Sequence, residues 1–229
     1  MSDMRIFPQT SSVGRLTADV SSPIGLRGTR DGAAFISDWK QSLVMEGRGY
    51  HVTIGAFSTP IQGGGAGTIF DQDQPEGIIS VPSGTCILPV RIHVQCQVPI
   101  TAADSDENEI LIAVDRLAAY PADGTVTSET AFNMRTDNPR TSNCTCASAA
   151  TANITNPTLG IELAHAVKIV DYAGTPATAL MNDLVCLYEP VTPPIIMGPA
   201  ALYIYWGGTV AVTGFAQVQW LELPSTMFS

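Results

Sequence analysis

Positive charge is what this chain has least of. Its 229 residues hold eleven Lys and Arg against 21 Asp and Glu, a formal net charge of -10, and the only lysines are Lys40 and Lys168. Charged residues of both signs make up 14% of the chain, where about a quarter is usual. Gripping a phosphate backbone takes clustered Lys and Arg. Beyond residue 50 there are just Arg91, Arg116, Arg135, Arg140 and Lys168 among many acids. Nucleic-acid binding by the body of the protein is therefore not expected. The first fifty residues are close to neutral, with Arg5, Arg15, Arg27, Arg30, Lys40 and Arg48 against Asp3, Asp19, Asp31, Asp38 and Glu46. They could touch nucleic acid only lightly.

Catalytic signatures are missing as well. The sequence contains no GxSxG, P-loop, HExxH or CxxC pattern. Its three histidines, His51, His93 and His165, fall singly on separate strand-like segments, so a shared metal is not expected. The glycine-rich run Gly63 to Gly67 has no following Lys and opens no helix, which a phosphate cradle needs; it reads as a loop. Cys144 and Cys146 would share one face of a strand, but no His or further Cys lies nearby in sequence to complete a soft-metal site. The acidic runs 71–76 and 104–109 have carboxylates suited to calcium but not the spacing of an EF-hand, and they read as solvated loops. No catalytic, cofactor-binding or metal-binding residue is assigned, and the chain is not expected to be an enzyme.

A secretory signal is not apparent either: MSDMRIFPQT has no apolar stretch. With five cysteines, an odd number, buried free thiols are expected rather than a disulfide framework. The glycosylation patterns at Asn143 and Asn153 are then accidental. One uncharged run, from Val191 to Leu221, is long enough to cross a bilayer. Pro199, its glycines and its many β-branched residues argue instead for strands. Gly207-Gly208 suggests a hairpin turn between two of them, and no membrane span is expected.

What is present is alternation. In Val90 to Val98 every second residue is apolar and the residues between are polar, the pattern of a half-buried strand. The same pattern marks Ile110, Ile112 and Val114. It recurs at Ile161, Leu163, Val167 and Ile169, with His165 on that face. Further strands are predicted over His51–Phe57, Gly77–Val81, Asp183–Glu189, Ala201–Trp206 and Thr209–Leu223. In the last of these the apolar phase shifts between Val218, Trp220 and Leu221, Leu223, which predicts a bulge. Loops are expected at Ser58–Gly67, Ala102–Glu109, Pro121–Gly124 and Val191–Pro194. The exception to β structure is Asp31 to Gly47, where Phe35, Trp39 and Leu43 recur every fourth residue and Gly47 is placed to end a helix. The reading is an arm and amphipathic helix over 1–47, followed by one all-β, jelly-roll-like antiparallel sandwich over 48–229.

An arm with one helix, together spanning Arg15 to Gly47, a strand after VPSGT (Val81 to Thr85) and a long final strand ending VQWLELP (Val218 to Pro224) resemble the single jelly-roll proteins of virus capsids. The Thr-, Gly- and Ala-rich, Lys-poor tone resembles uncharacterised phage virion proteins. The resemblance implies a homo-oligomeric, self-assembling capsid subunit, major or minor, that meets other copies and other virion proteins and is assembled in the host cytoplasm. Many such coats have strongly basic arms, and this arm departs from that pattern, so genome packaging by it is not implied. The alternative expectation is a trimeric β-sandwich receptor-binding or adhesion module of a spike or fibre. A cupin-like or sugar-active enzyme comes third, because it needs histidines meeting at a barrel mouth.

Overall fold

The computed structural model describes residues 38–64, 71–100, 105–117, 125–137, 140–149, 154, 157–171, 180–208 and 212–227. The chain divides into two units, Met1–Ser42 and Leu43–Ser229. The predicted arm, and with it Phe35, lies outside the described residues.

Helix α1 runs from Trp39 to Met45, within the predicted span. It stops at Gly47, whose φ of 73° is a left-handed conformation that costs a glycine little. The Gly47 N–H donates to Val44 O and the Arg48 N–H to Leu43 O, a Schellman cap. The last turn buries Leu43 and packs Val44 on Cys86, Leu88, Leu221 and Leu223.

Thirteen strands follow: β1 Gly49–Ile54, β2 Ile61–Gln62, β3 Gly77–Val81, β4 Thr85–Ile100, β5 Ser105–Asp115, β6 Thr127–Glu129, β7 Phe132–Asn133, β8 Thr145–Ser148, β9 Leu159–Asp171, β10 Leu180–Tyr188, β11 Ile196–Met197, β12 Ala200–Gly208 and β13 Thr213–Pro224. They form two antiparallel sheets packed as a sandwich. One has seven strands, in the order β10-β4-β13-β1-β7 with β2 and β11 attached. The other has six, in the order β6-β8-β3-β12-β5-β9. Eight of these strands pair as nested couples, β1 with β13, β3 with β12, β4 with β10 and β5 with β9. An antiparallel ribbon rolled across two sheets gives this nesting, and it is the jelly roll.

The inner faces meet in one core: Val52, Ile92, Val94, Val218 and Trp220 from the larger sheet, and Ile79, Ile110, Ile112, Leu202 and Trp206 from the smaller. The plain alternation of β4 holds from Ile92 to Cys96. Val90 is then the extra residue of a bulge, since Gln219 pairs with Arg91 and Trp220 with Pro89. The bulge is where the sequence places it, but the added residue sits on β4. Strand β13 keeps its phase through Ala216, Val218, Trp220 and Glu222. Leu221 and Leu223 lie on the opposite face, and the end of α1 covers them, which is why they are apolar.

Three sequence expectations are corrected. The run around Gly207-Gly208 is no hairpin: β12 and β13 belong to different sheets. The two glycines continue β12 opposite Glu109 and Asn108, and a Cβ on Gly208 would sit 2.2 Å from the Glu107 carbonyl oxygen. Close approach, not turn geometry, requires glycine there. Residues 105–109 are the start of β5 rather than a loop. In β9, pairing shifts against β5 at two places. Ala164 and Ala166 therefore reach the core, while Val167 and Ile169 are exposed.

The smaller sheet is also buried on its outer side. Ile78, Leu111, Tyr203 and Tyr205 form a second cluster there, covered by Ile154, Val126 and Leu159. All nine residues of β12 are thus buried, which explains an apolar run without alternation. No helix among the described residues is long and apolar enough to cross a membrane.

Candidate functional site

Two of the three histidines share a surface. His51 on β1 stacks on Phe132 of β7, ring centroids 5.7 Å apart, and His93 on β4 lies against Phe215 of β13 at 6.3 Å. Both look outward from the larger sheet, with β13 between them. His165 sits on the other sheet. Its Nε2 is in hydrogen-bond contact with Glu109 Oε1, and its Nδ1 is 3.8 Å from Glu162 Oε1. Glu109 is buried, and its Oε2 has no partner among the described residues. A carboxylate–histidine pair can orient a general base, but catalysis needs a nucleophile in reach. Among the described residues no Ser, Thr or Cys hydrogen-bonds to His165. No group of three His, Cys, Asp or Glu among them could hold a metal ion.

The cysteines are all free and buried. Burial pushes the thiols of Cys96 and Cys146 up to about 12 and raises Cys144 as well, so each stays protonated and unreactive at neutral pH. Cys96 donates to Asn108 Oδ1 at 2.9 Å, a bond across the core between β4 and β5. Cys144 and Cys146 both face the core.

The acidic run 71–76 is a cover, not a solvated loop. Asp71 Oδ1 accepts the Asp73 N–H, Gln72 Nε2 donates to Pro157 O, and Tyr205 donates its hydroxyl proton to Gln72 O. Glu76, its last residue, is fully buried. Its Oε2 accepts the Trp206 N–H at 2.9 Å and its Oε1 accepts the Gly64 N–H at 2.5 Å, so one carboxyl group at the start of β3 ties β12 to Gly64. Burial pushes its pKa up to about 8. Beside it Ala149, with φ of 48°, donates its N–H to Glu76 O. Within GGGAG, Gly63 is needed for packing: a Cβ would lie 2.2 Å from Trp206 O. Gly65 to Gly67 lie outside the described residues.

Two further buried acids escaped the sequence reading. Glu222 accepts from Ser142 Oγ at 2.7 Å and from the backbone and side chain of Asn143. Its place on the inward phase of β13 was the available signal. Asp115 holds the backbone N–H groups of Leu117 and Thr158. Each of these carboxylates is used up internally by the fold.

Depressions lie at three further places among the described residues. One of about 300 Å³ lies between Gln62, Gly64, Gln74, Pro75 and Ala149. A second, of about 140 Å³, is apolar, lined by Val114, Ile161, Leu163, Ile195 and Met197 with Arg116 beside them. A third, of about 120 Å³, opens on the outer face of the larger sheet between Phe57, Gln95, Gln97 and Phe215.

That outer face is poor in charge over its central strands. Strands β1 and β4 contain no acid at all, and the single acid of β13, Glu222, points inward. Arg91 is the one formal charge among their outward side chains. Glu107 of β5 and Glu162 of β9 lie on the other sheet, while Asp183 stands on the outward phase of rim strand β10, opposite Gln97. Such a neutral face is inexpensive to desolvate. No family model matches the chain, and a search of curated proteins finds no match.

Proposed function

We propose that this chain is a virion structural protein: a self-assembling jelly-roll subunit of a virus capsid, major or minor, that meets copies of itself and other virion proteins. The observation that carries the reading is the nested pairing of eight strands combined with a sheet face whose three central strands, β1, β13 and β4, carry no outward carboxylate, on a chain of net charge -10. Eight-stranded jelly rolls build viral capsid domains, lectin domains and cupins. Against a cupin-type enzyme, His51 and His93 lie on the outer face of one sheet and His165 on the other sheet, so no barrel mouth collects them. In favour of assembly, the buried carboxylates and thiols serve the fold, and the uncovered surface is built of amides, aromatics and aliphatics, the composition of protein interfaces.

Size-exclusion chromatography with light scattering, followed by negative-stain microscopy, tests it. Shells, capsomers or an open series of oligomers are expected. A compact trimer as the sole species would move the reading to a receptor-binding or adhesion module, and a strict monomer would overturn it.

A further inference from the structure

We infer that the outer face of the seven-stranded sheet is the surface through which two copies of this chain meet, face to face across a two-fold axis. The inference rests on the self-assembly reading and names the surface that does it.

The occupant follows from charge. A chain of net charge -10 repels its own copies wherever acids are spread. Over β1, β13 and β4 the outward positions carry no carboxylate, and the acids closest in register, Asp183 and Glu189, lie on or just beyond the rim strand β10. This is where a second copy can approach without like-charge contact.

The layout is self-complementary. Phe132, 58% exposed, marks one rim on β7, while Val185 and Leu187, 51% and 52% exposed, mark the other on β10. Between them stand Gln95, Gln217 and Gln219, whose amides each carry donors and an acceptor. A two-fold axis running along the strands between two such faces lays the Phe132 rim of one copy over the Val185–Leu187 rim of the other. It also sets glutamines against glutamines. Such an interface is isologous and closes. On the opposite sheet, Ile154, Val126 and Leu159 of the same chain already cover the outer cluster, and exposed Val167 and Ile169 of its edge strand β9 stand beside Glu109 and Glu107.

Area is sufficient. Strands β10, β4, β13 and β1, about 4.8 Å apart and averaging about 28 Å of open length, give roughly 550 Å² in plan per copy, or about 1,100 Å² for the pair, above the ~1,000 Å² that a specific interface needs, and the two-residue β7 adds little.

The test is a pair of isosteric substitutions, Gln95→Glu with Gln217→Glu, and separately Leu187→Ser, which adds no charge. Thr127→Glu, on the rim of the other sheet, is the control. Circular dichroism melts confirm that each variant folds, and sedimentation velocity over a concentration series reads association. The expected result is that the wild type and T127E associate alike, while Q95E/Q217E and L187S each weaken the dimer by about ten-fold or more. Association that is unchanged in both face variants overturns the inference and leaves self-assembly through another surface standing. A wild type that is monomeric throughout overturns the inference together with the reading beneath it. A monomer that instead binds an oligosaccharide in a manner lost in Q95E/Q217E overturns it in favour of a receptor-binding face.

Discussion

Glu76 shows how much a single side chain can fix. Buried between the glycine loop and β12, it accepts from Gly64 and Trp206, and its pKa stands at about 8 against 4.5 for an ordinary glutamate. Because the folded state holds the proton more tightly than the unfolded chain, the stability this group contributes is fully present below about pH 4.5. It is lost as pH rises through about 8. The loss should amount to a few kcal/mol, an order-of-magnitude figure at about 1.4 kcal/mol per pH unit. Glu76→Gln cannot ionise, so urea unfolding from pH 5 to pH 8 should show a flatter stability profile for the variant than for the wild type. Its absolute stability should be lower at pH 5, since one of the two N–H donors then faces an amide NH2 instead of an oxygen. An unchanged slope would mean that Glu76 is not the titrating group. Nothing in the local sequence marks this residue. In DQDQPEG it is one acid among several, and burial depends on Trp206, far along the chain.

Among the elements, β4 and β12 mark the two ends of what the sequence discloses. In β4 one face is covered and one is open, so the alternation of Ile92, Val94 and Cys96 with His93 and Gln95 is legible residue by residue. In β12 both faces are covered, alternation vanishes, and an apolar run flanking two glycines imitates a hairpin. Topology decides the matter, through the contact of Gly208 with the Glu107 backbone. Gly208→Ala should force β12 away from β5 and cost several kcal/mol, on the scale of overpacking in a closed core with a backbone neighbour that cannot yield. Chemical denaturation, or loss of soluble protein, would measure it, and a variant of wild-type stability would show that the contact can relax. The β9 phase was misread for a related reason: bulges exchange which face a residue occupies, and bulges depend on the partner strand. The candidate surface was legible only as a shortage of charge. That the shortage concentrates on one face follows from β1, β4 and β13 becoming neighbours, which no local pattern records.

At the level of the whole molecule, a net charge of -10 coexists with a sheet face whose central strands carry no outward carboxylate. The net charge opposes association at a distance while the neutral face permits it on contact. Added salt screens the first and leaves the second untouched. Association should therefore tighten as ionic strength rises from low to physiological values, read by sedimentation at fixed protein concentration. Weakening with salt would mean that ion pairs, not a neutral face, join the copies. The nested pairing has a further consequence, in time rather than space. Strand β13 lies between β1 and β4, so the middle of the larger sheet stays vacant until the ribosome has released residues 213–224. The larger sheet cannot close before then, because its earliest strand waits for its last. Contacts so distant along the chain make for slow folding, and during that wait the strands that later form the core remain open to other chains. The larger sheet of a nascent chain gains its native order only once β13 has left the ribosome, and crowding by sister chains before then is a hazard built into its topology.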